Sequence, residues 1–227
     1  MLREVGENIW CVDAVAGSPF HTPLRMTVVR FGEGRLLLHS PVRFDDAVAA
    51  EINGLGTVTD VVAPNCYHHL AVPRAMRHNP EARLWLAPGL GEKRPDLPPA
   101  TTIDADAKAD WSEALDYEVI NGIPKFGEVV FFHGASKTLI TTDFLLNVTS
   151  AEHLSARIAL RLLGAYGRPG QNWMWRLNVR DRSAAQKSVA RIFDWDFQRV
   201  IMAHGSIIEN DAKETLGKLV RWLRPIY

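Results

Sequence analysis

The sequence predicts an α/β fold, and three observations support this prediction. Short apolar runs of strand length alternate with longer segments whose apolar residues recur at helical spacing. Gly and Pro residues separate most of these segments, as they do at turns and loops. Residues 35–63 have the order strand, helix, strand, which is a β-α-β unit and requires a sheet that is at least partly parallel.

In the first half of the chain, the predicted elements lead to a loop that is rich in histidine. Gly32-Glu33-Gly34 forms a hairpin turn between two strands, and Asp45 or Asp46 starts the first helix, which Gly54 and Gly56 end. The segment at 88–100 is predicted to be a loop, and the segment at 101–116 has no clear pattern. Strands are predicted at residues 9–12, 26–31, 35–39, 58–63 and 82–87, with a second helix at 70–78.

The second half has the same mixed character. One predicted helix carries Leu154, Ile158 and Leu162 on a single face, and the next turns Ala185, Val189 and Ile192 inward. The predicted strands are residues 117–120, 128–133, 137–142 and 200–203, and the predicted helices are residues 151–163, 183–193 and 211–223.

Charge and composition exclude several classes of protein. The chain has 26 basic and 26 acidic residues, so no excess positive charge indicates a nucleic acid or an anionic membrane as partner. No apolar run approaches the ~20 residues that span a bilayer, and the first residues lack the apolar core of a signal peptide. Two cysteines do not form a disulfide framework. We therefore expect one cytoplasmic domain over residues 1–227, acting on a small molecule.

Three predicted strands end in a residue that can bind a metal. The strand at 58–63 leads to His68 and His69, the strand at 137–142 leads to Asp143, and the strand at 200–203 leads to His204. Imidazole and carboxylate groups are ligands for Zn²⁺ and Fe²⁺, and strand ends hold such ligands rigidly. The alternative is structural, with the histidines bonded to backbone carbonyls and Asp143 capping a turn.

The order of elements resembles the metallo-β-lactamase-fold superfamily over nearly the whole chain. The resemblance consists of an opening strand pair, a β-α-β unit that reaches the loop at 64–69, a late hairpin that ends in Asp143, and a last strand that ends in His204-Gly205. It implies a four-layer αββα sandwich with a site for one or two metal ions at one edge of the sheets.

The resemblance also shows which metal ligands of that family this chain lacks. The family loop reads His-x-His-x-Asp-His, and here Pro64 and Cys66 occupy its first two histidine positions. A further family histidine, in a Gly-His turn, falls near residues 122–124 and is absent. The ligands of one metal position are therefore missing.

The ligands of the other metal position have counterparts. His69 matches the last loop histidine, His68 stands at the loop aspartate, Asp143 matches the bridging aspartate and His204 the final histidine. The resemblance thus implies a degenerate, mononuclear site of His68, His69, Asp143 and His204 that holds one Zn or Fe ion.

Two functions are the resulting hypotheses. The first is a metal-dependent hydrolase of unknown substrate, and the second is a non-catalytic domain of the same fold that binds a small ligand or a protein partner. Three further residues keep two interpretations each: Cys66 as a thiolate ligand or a buried small side chain, His39 as a cleft or core residue, and Arg94 as a contact for an anionic substrate or a solvated side chain.

Overall fold

A computed structural model describes residues 1–17, 21–107, 109–151, 153–162 and 164–223 of the chain. Two β-sheets face each other across an apolar core, and helices pack on the outer face of each sheet. The layers are therefore helix, sheet, sheet and helix, which confirms the predicted αββα sandwich. Among the described residues, no helix is both long and apolar enough to cross a membrane.

The larger sheet has seven strands that follow one another in chain order, β1 to β7. The first four strands pair antiparallel, and β4 to β7 pair parallel because a connection crosses back over the sheet between successive strands. The strands are β1 Leu2–Gly6, β2 Ile9–Val15, β3 Pro23–Phe31, β4 Arg35–His39, β5 Thr57–Ala63, β6 Arg83–Leu86 and β7 Ala100–Thr102.

The smaller sheet has four strands in the order β11-β10-β9-β8. Strands β8, β9 and β10 pair antiparallel, whereas β10 and β11 are parallel and therefore end at the same edge of the sheet. The strands are β8 Leu115–Val119, β9 Val129–His133, β10 Thr138–Thr141 and β11 Arg199–Met202.

Seven α-helices complete the fold among the described residues. Short 3-10 helices lie at Asp110–Glu113 and Arg221–Leu223. The helices are α1 Asp46–Asn53, α2 Val72–His78, α3 Leu90–Lys93, α4 Leu154–Leu162, α5 Trp173–Leu177, α6 Arg182–Asp194 and α7 Ala212–Leu219.

Most predicted elements lie where the sequence pattern placed them, with several differences, among them the short helix α5, where no element was predicted. The chain opens with an additional strand, β1, and the predicted loop at 88–100 contains α3 and the start of β7. The predicted helix at 211–223 is α7 followed by a separate 3-10 turn. The predicted helix at 151–163 begins at Leu154, while residues 152 and 163 lie outside the described residues.

Successive residues along a strand contribute to two different apolar cores, one between the sheet and its helices and one between the two sheets. In β3, Met26 and Val28 pack under the helices, while Val29 and Phe31 face the other sheet. The period of two along a strand produces this division, because successive side chains point to opposite faces. The result is a rigid pair of sheets whose loops after β5, β10 and β11 meet at one edge.

Candidate metal centre

Three of the four predicted ligands meet at this edge. His68, Asp143 and His204 each place a ligand atom within 4.8 Å of the others. The His68 Nε2 atom lies 3.5 Å from Asp143 Oδ2, and the His204 Nε2 atom lies 3.4 Å from Asp143 Oδ1. The two Nε2 atoms are 3.2 Å apart. Three loops that are distant in sequence therefore converge on one point.

The turn after β5 aims His68 at this point. The side-chain oxygen of Asn65 accepts hydrogen bonds from the backbone N–H groups of Tyr67 and His68, each at 2.8 Å. Such a turn is typical of Asn, whose carboxamide can substitute for a backbone carbonyl. The His68 Nδ1 atom then lies 2.8 Å from Ser40 Oγ at the end of β4. Its Nε2 atom is left to face Asp143.

His204 is held in the same way from the opposite side. Its Nδ1 atom donates a hydrogen bond to the Pro23 carbonyl oxygen at 2.8 Å. A carbonyl can only accept, so Nδ1 carries a proton, and whenever the ring is neutral its Nε2 lone pair faces the cluster. Metal-bound histidines characteristically have their second ring nitrogen fixed in this way.

A buried polar network holds Asp143. The Asn65 Nδ2 group donates to Asp143 Oδ2 at 2.7 Å, so one side chain connects the two ligand loops. Behind the turn, Glu128 Oε1 accepts hydrogen bonds from the backbone N–H groups of Thr142 and Phe144, each at 2.9 Å. Glu128 is fully buried. The Asp143 carboxylate is therefore oriented before any ligand arrives.

The charges of the cluster act on each other. Burial favours the protonated form of Asp143, but the nearby His68 and His204 rings prevail and lower its pKa. Burial opposes the charging of His204, but the Asp143 carboxylate, 3.4 Å from His204 Nε2, stabilises a proton on that nitrogen and raises the pKa of His204. A metal that binds at Nε2 takes the place of this proton. Burial and, secondarily, the Asp143 charge raise the pKa of Glu128 to about 7. The site thus has a stable carboxylate that attracts a cation.

The structure does not bring His69 to the cluster. Its Nδ1 atom accepts a hydrogen bond from Arg94 Nη1 at 2.6 Å, because adjacent residues of the turn point in different directions. An imidazole that accepts at Nδ1 carries its proton on Nε2 and so lacks the lone pair that a metal needs there. Burial, followed by the Arg94 and Lys93 charges, lowers the His69 pKa to about 4 and keeps this ring neutral.

The structure shows the surroundings of Cys66, His39 and Arg94, for which the sequence allowed two interpretations each. Cys66 is buried with its Sγ atom 3.5 Å from the Pro88 carbonyl, outside the group of three. His39 lies between the sheets against Phe131, and burial, then the His68 charge, lowers its pKa to about 3. Arg94 is bonded to Asp96 through two nitrogens as well as to His69, so its guanidinium group is already occupied.

Three supporting residues were not identified as functional from the sequence. Asn65 and Ser40 stand in turns directly after strands, where polar residues are common, so their types carry no specific signal. Glu128 offers more, because an acidic residue at the start of the apolar run Val129-Val130-Phe131-Phe132 predicts a buried carboxylate with hydrogen-bond partners.

The donor set is suitable for a divalent transition metal. Two imidazole nitrogens and one carboxylate oxygen are the ligands found in mononuclear Zn²⁺ and Fe²⁺ sites with open positions. The two Nε2 atoms lie 3.2 Å apart, a separation that one shared proton or one cation bound to both nitrogens can explain. The three residues therefore fit one metal ion.

Solved structures of similar fold come from the metallo-β-lactamases. A metallo-β-lactamase from Hirschia baltica is 13% identical with a TM-score of 0.64, and the match covers 100% of this chain and 99% of that one. The metallo-β-lactamase FIM-1 from Pseudomonas aeruginosa, in its mono-zinc form, is 14% identical with a TM-score of 0.62, covering 99% and 96%. The chain therefore has the metallo-β-lactamase fold, as its sequence resemblance implied.

The same fold occurs in a protein of another description. The Flv1 flavodiiron core from Synechocystis sp. PCC6803, a metal-soaked structure, is 10% identical with a TM-score of 0.65, and the match covers 98% of this chain and 60% of that one. At such identities the comparison establishes the fold alone. No curated protein matches the sequence.

A family profile matches the chain from residue 6 to residue 160, which is more than half of its length. The matched region contains β2 to β10 complete, with His68 and Asp143, whereas His204 lies beyond it. On this match, the chain belongs to the family described as Domain of unknown function (DUF4336).

Proposed function

We propose that this protein is a metal-dependent hydrolase with a mononuclear site of His68, Asp143 and His204. One observation carries the proposal: three ligand atoms from three separate loops lie within 4.8 Å of one another. The metal is Zn²⁺ or Fe²⁺, since both accept two imidazoles and a carboxylate.

The chain's own residues prepare the site for this chemistry. When bound, a divalent ion polarises a carbonyl or phosphoryl oxygen and lowers the pKa of water. Asp143 supplies the negative charge that the cation requires, and Asn65 keeps that carboxylate in place through its 2.7 Å hydrogen bond. Ser40 and the Pro23 carbonyl hold the two imidazole rings at their Nδ1 atoms, so that the Nε2 atoms stay directed inward.

A second function remains as an alternative because the second metal position of the fold has lost its ligands. Pro64 has no ligand atom, and the buried Cys66 thiol is directed to the Pro88 carbonyl, with a pKa that burial raises. A single ion leaves less to activate an attacking group than two ions do. The alternative is a non-catalytic domain that uses the same site to bind a small ligand or a partner.

Elemental analysis of purified protein tests the metal site. Wild-type protein, reconstituted with Zn²⁺ or Fe²⁺, should hold about one ion per chain, and His68→Ala/His204→Ala should hold none because one carboxylate alone binds such ions weakly. His69→Ala is the matched control and should keep its metal. A wild-type protein without metal after reconstitution would overturn the proposal.

A substrate screen then separates the two functions. At least one of the ester, thioester and phosphodiester substrates should be hydrolysed by the metal-loaded wild type and not by His68→Ala/His204→Ala. Stoichiometric metal without turnover of any of the three substrate classes would favour the binding domain.

A further inference from the structure

Helices α4 and α5 expose an unusual amount of apolar surface. Trp173 Nε1 donates a hydrogen bond to the Leu162 carbonyl oxygen at 2.8 Å, so the indole lies against the end of α4 and joins the two helices. Leu162 is 75% exposed and Leu177 is 65% exposed. We call the exposed apolar side chains of these helices the docking face; they are Leu154, Ile158, Leu162, Trp173, Met174 and Leu177.

The apolar stripe of α4 points away from the protein. The buried residues of this helix are Ala156 and Leu160, whereas Leu154, Ile158 and Leu162 are exposed at a spacing of four residues. Isolated exposed apolar residues are ordinary, but a contiguous patch marks a surface that another body covers.

Arginines and no acidic residues accompany this patch in the sequence. Between Glu152 and Asp181 the chain has five arginines and neither Asp nor Glu. Within the part of the chain that is described, none of the five forms an ion pair, whereas seven arginines elsewhere pair with Asp or Glu. The five are Arg157, Arg161, Arg168, Arg176 and Arg180.

The arginines border the apolar stripe. Arg157 and Arg161 each directly precede a stripe residue and each follow another by three positions, so they flank the stripe along one side of the helix. Arg161 is exposed, whereas Arg157 is half-buried and its Nε atom is fully buried. In α5 the exposed Arg176 directly precedes Leu177, and its guanidinium group lies over the Trp222 ring, 5.4 Å from the ring centroid. An apolar strip with Leu and Trp beside a row of basic residues is the pattern of a helix that lies in the interface of an anionic membrane.

We infer that α4 and α5 dock this protein onto a membrane surface that contains anionic phospholipid. The apolar side chains enter the boundary between headgroups and acyl chains, and the exposed arginines contact lipid phosphates. A second copy of the chain is the less suitable occupant, because an isologous contact would bring the same arginines against each other. The equal numbers of basic and acidic residues in the whole chain predict no anionic membrane as partner, because a total charge does not show that one face of the protein is basic.

Vesicle flotation tests the inference with the full chain. The protein should float with vesicles of equal parts phosphatidylcholine and phosphatidylglycerol and should remain unbound with phosphatidylcholine alone. Leu162→Ser should weaken binding about tenfold or more, from the loss of one buried leucine side chain. Arg161→Gln should weaken it about fivefold, and added salt should weaken the wild type.

Matched variants distinguish docking from general effects on folding. Val15→Ser removes an exposed apolar residue from β2, and Arg77→Gln removes an exposed arginine from the last turn of α2. Both should bind vesicles as the wild type does, and all four variants should keep the wild-type unfolding temperature, since every substituted side chain is exposed.

Two results would overturn the inference. One is an absence of vesicle binding: the wild-type protein does not float with the anionic vesicles, or Leu162→Ser binds them as tightly as the wild type does. The other is a dimer in sedimentation velocity that Leu162→Ser dissociates, without vesicle binding, which would assign the docking face to a second copy of the chain.

Discussion

His68 and His69 are adjacent in the chain, yet the structure gives them different surroundings. His68 has Ser40 at its Nδ1 atom and Asp143 and His204 near its Nε2 atom. His69 accepts a hydrogen bond from Arg94 at Nδ1 and lies outside the cluster. The difference shows that the group at the second ring nitrogen and the direction of the backbone, and not the residue type alone, decide which histidine joins the cluster.

The largest effect is expected from the residue that creates this difference. In Asn65→Leu, the N–H groups of Tyr67 and His68 and the Asp143 carboxylate lose a buried partner. The free energy of unfolding should fall by about 2–4 kcal/mol, measured by urea denaturation, and metal affinity should fall with it. Asn53→Leu, at an exposed end of α1, should change stability by less than about 0.5 kcal/mol. Wild-type stability in Asn65→Leu would refute the assigned network.

The hydrogen bond on His68 Nδ1 provides the second test. Ser40→Ala removes this partner and should weaken metal binding about 10- to 100-fold, measured by competition with a chelator. Ser136→Ala is a matched control, because Ser136 Oγ lies 2.7 Å from His133 Nδ1 in an equivalent pair. His133 is outside the cluster, so this control should bind metal as the wild type does. Equal losses of metal affinity in Ser40→Ala and Ser136→Ala would show that the hydrogen bond from Ser40 to His68 has no specific role in metal binding.

His39 shows how burial acts on a histidine whose Nε2 atom has no hydrogen-bond partner within the described residues. The pKa of His39, about 3, lies below its ordinary value of 6.5. Between these two pH values His39 is protonated in the unfolded chain and neutral in the folded chain. The contribution to stability is complete above about pH 6.5 and is lost as the pH falls toward 3, at about 1.4 kcal/mol per pH unit.

Denaturation between pH 4 and 7 measures this slope. His39→Asn should lose stability less steeply than the wild type as the pH falls. Leu38→Val, in the same strand, should lower stability at every pH and keep the wild-type slope. Identical slopes for wild type and His39→Asn would show that His39 takes up its proton in the folded state.

The smallest effect is expected at Arg94, which tests His69 directly. In Arg94→Gln, metal affinity should change by less than about threefold, because His69 lies outside the cluster and the Arg94 charge is already paired with Asp96. The His69 pKa should rise, since one of the charges that lower it is gone, and an NMR titration measures this. A large loss of metal would instead make His69 a ligand, as the family loop implied.

The contrast between α4 and α6 marks a limit of sequence patterns. Both helices carry a regular apolar face, and in α6 Ala185, Val189 and Ile192 are buried as predicted. In α4 the apolar face is exposed, and Ala156 and Leu160 are buried instead. Helical periodicity identifies which residues share a face, but the layer that covers the face is a property of tertiary packing.

The sequence by itself determined the α/β class, most element positions and three residues of the cluster, because each depends on local patterns of apolar residues and on the residue types at strand ends. Only the tertiary structure decided that His68 points to the cluster and that the buried His69 points to Arg94. That choice depends on Asn65, Ser40 and Arg94, which contact these histidines across loops and strands up to 28 residues away. Hydrogen bonds between distant segments leave no periodic trace in the sequence, so the orientation of a ligand is decided when the segments pack.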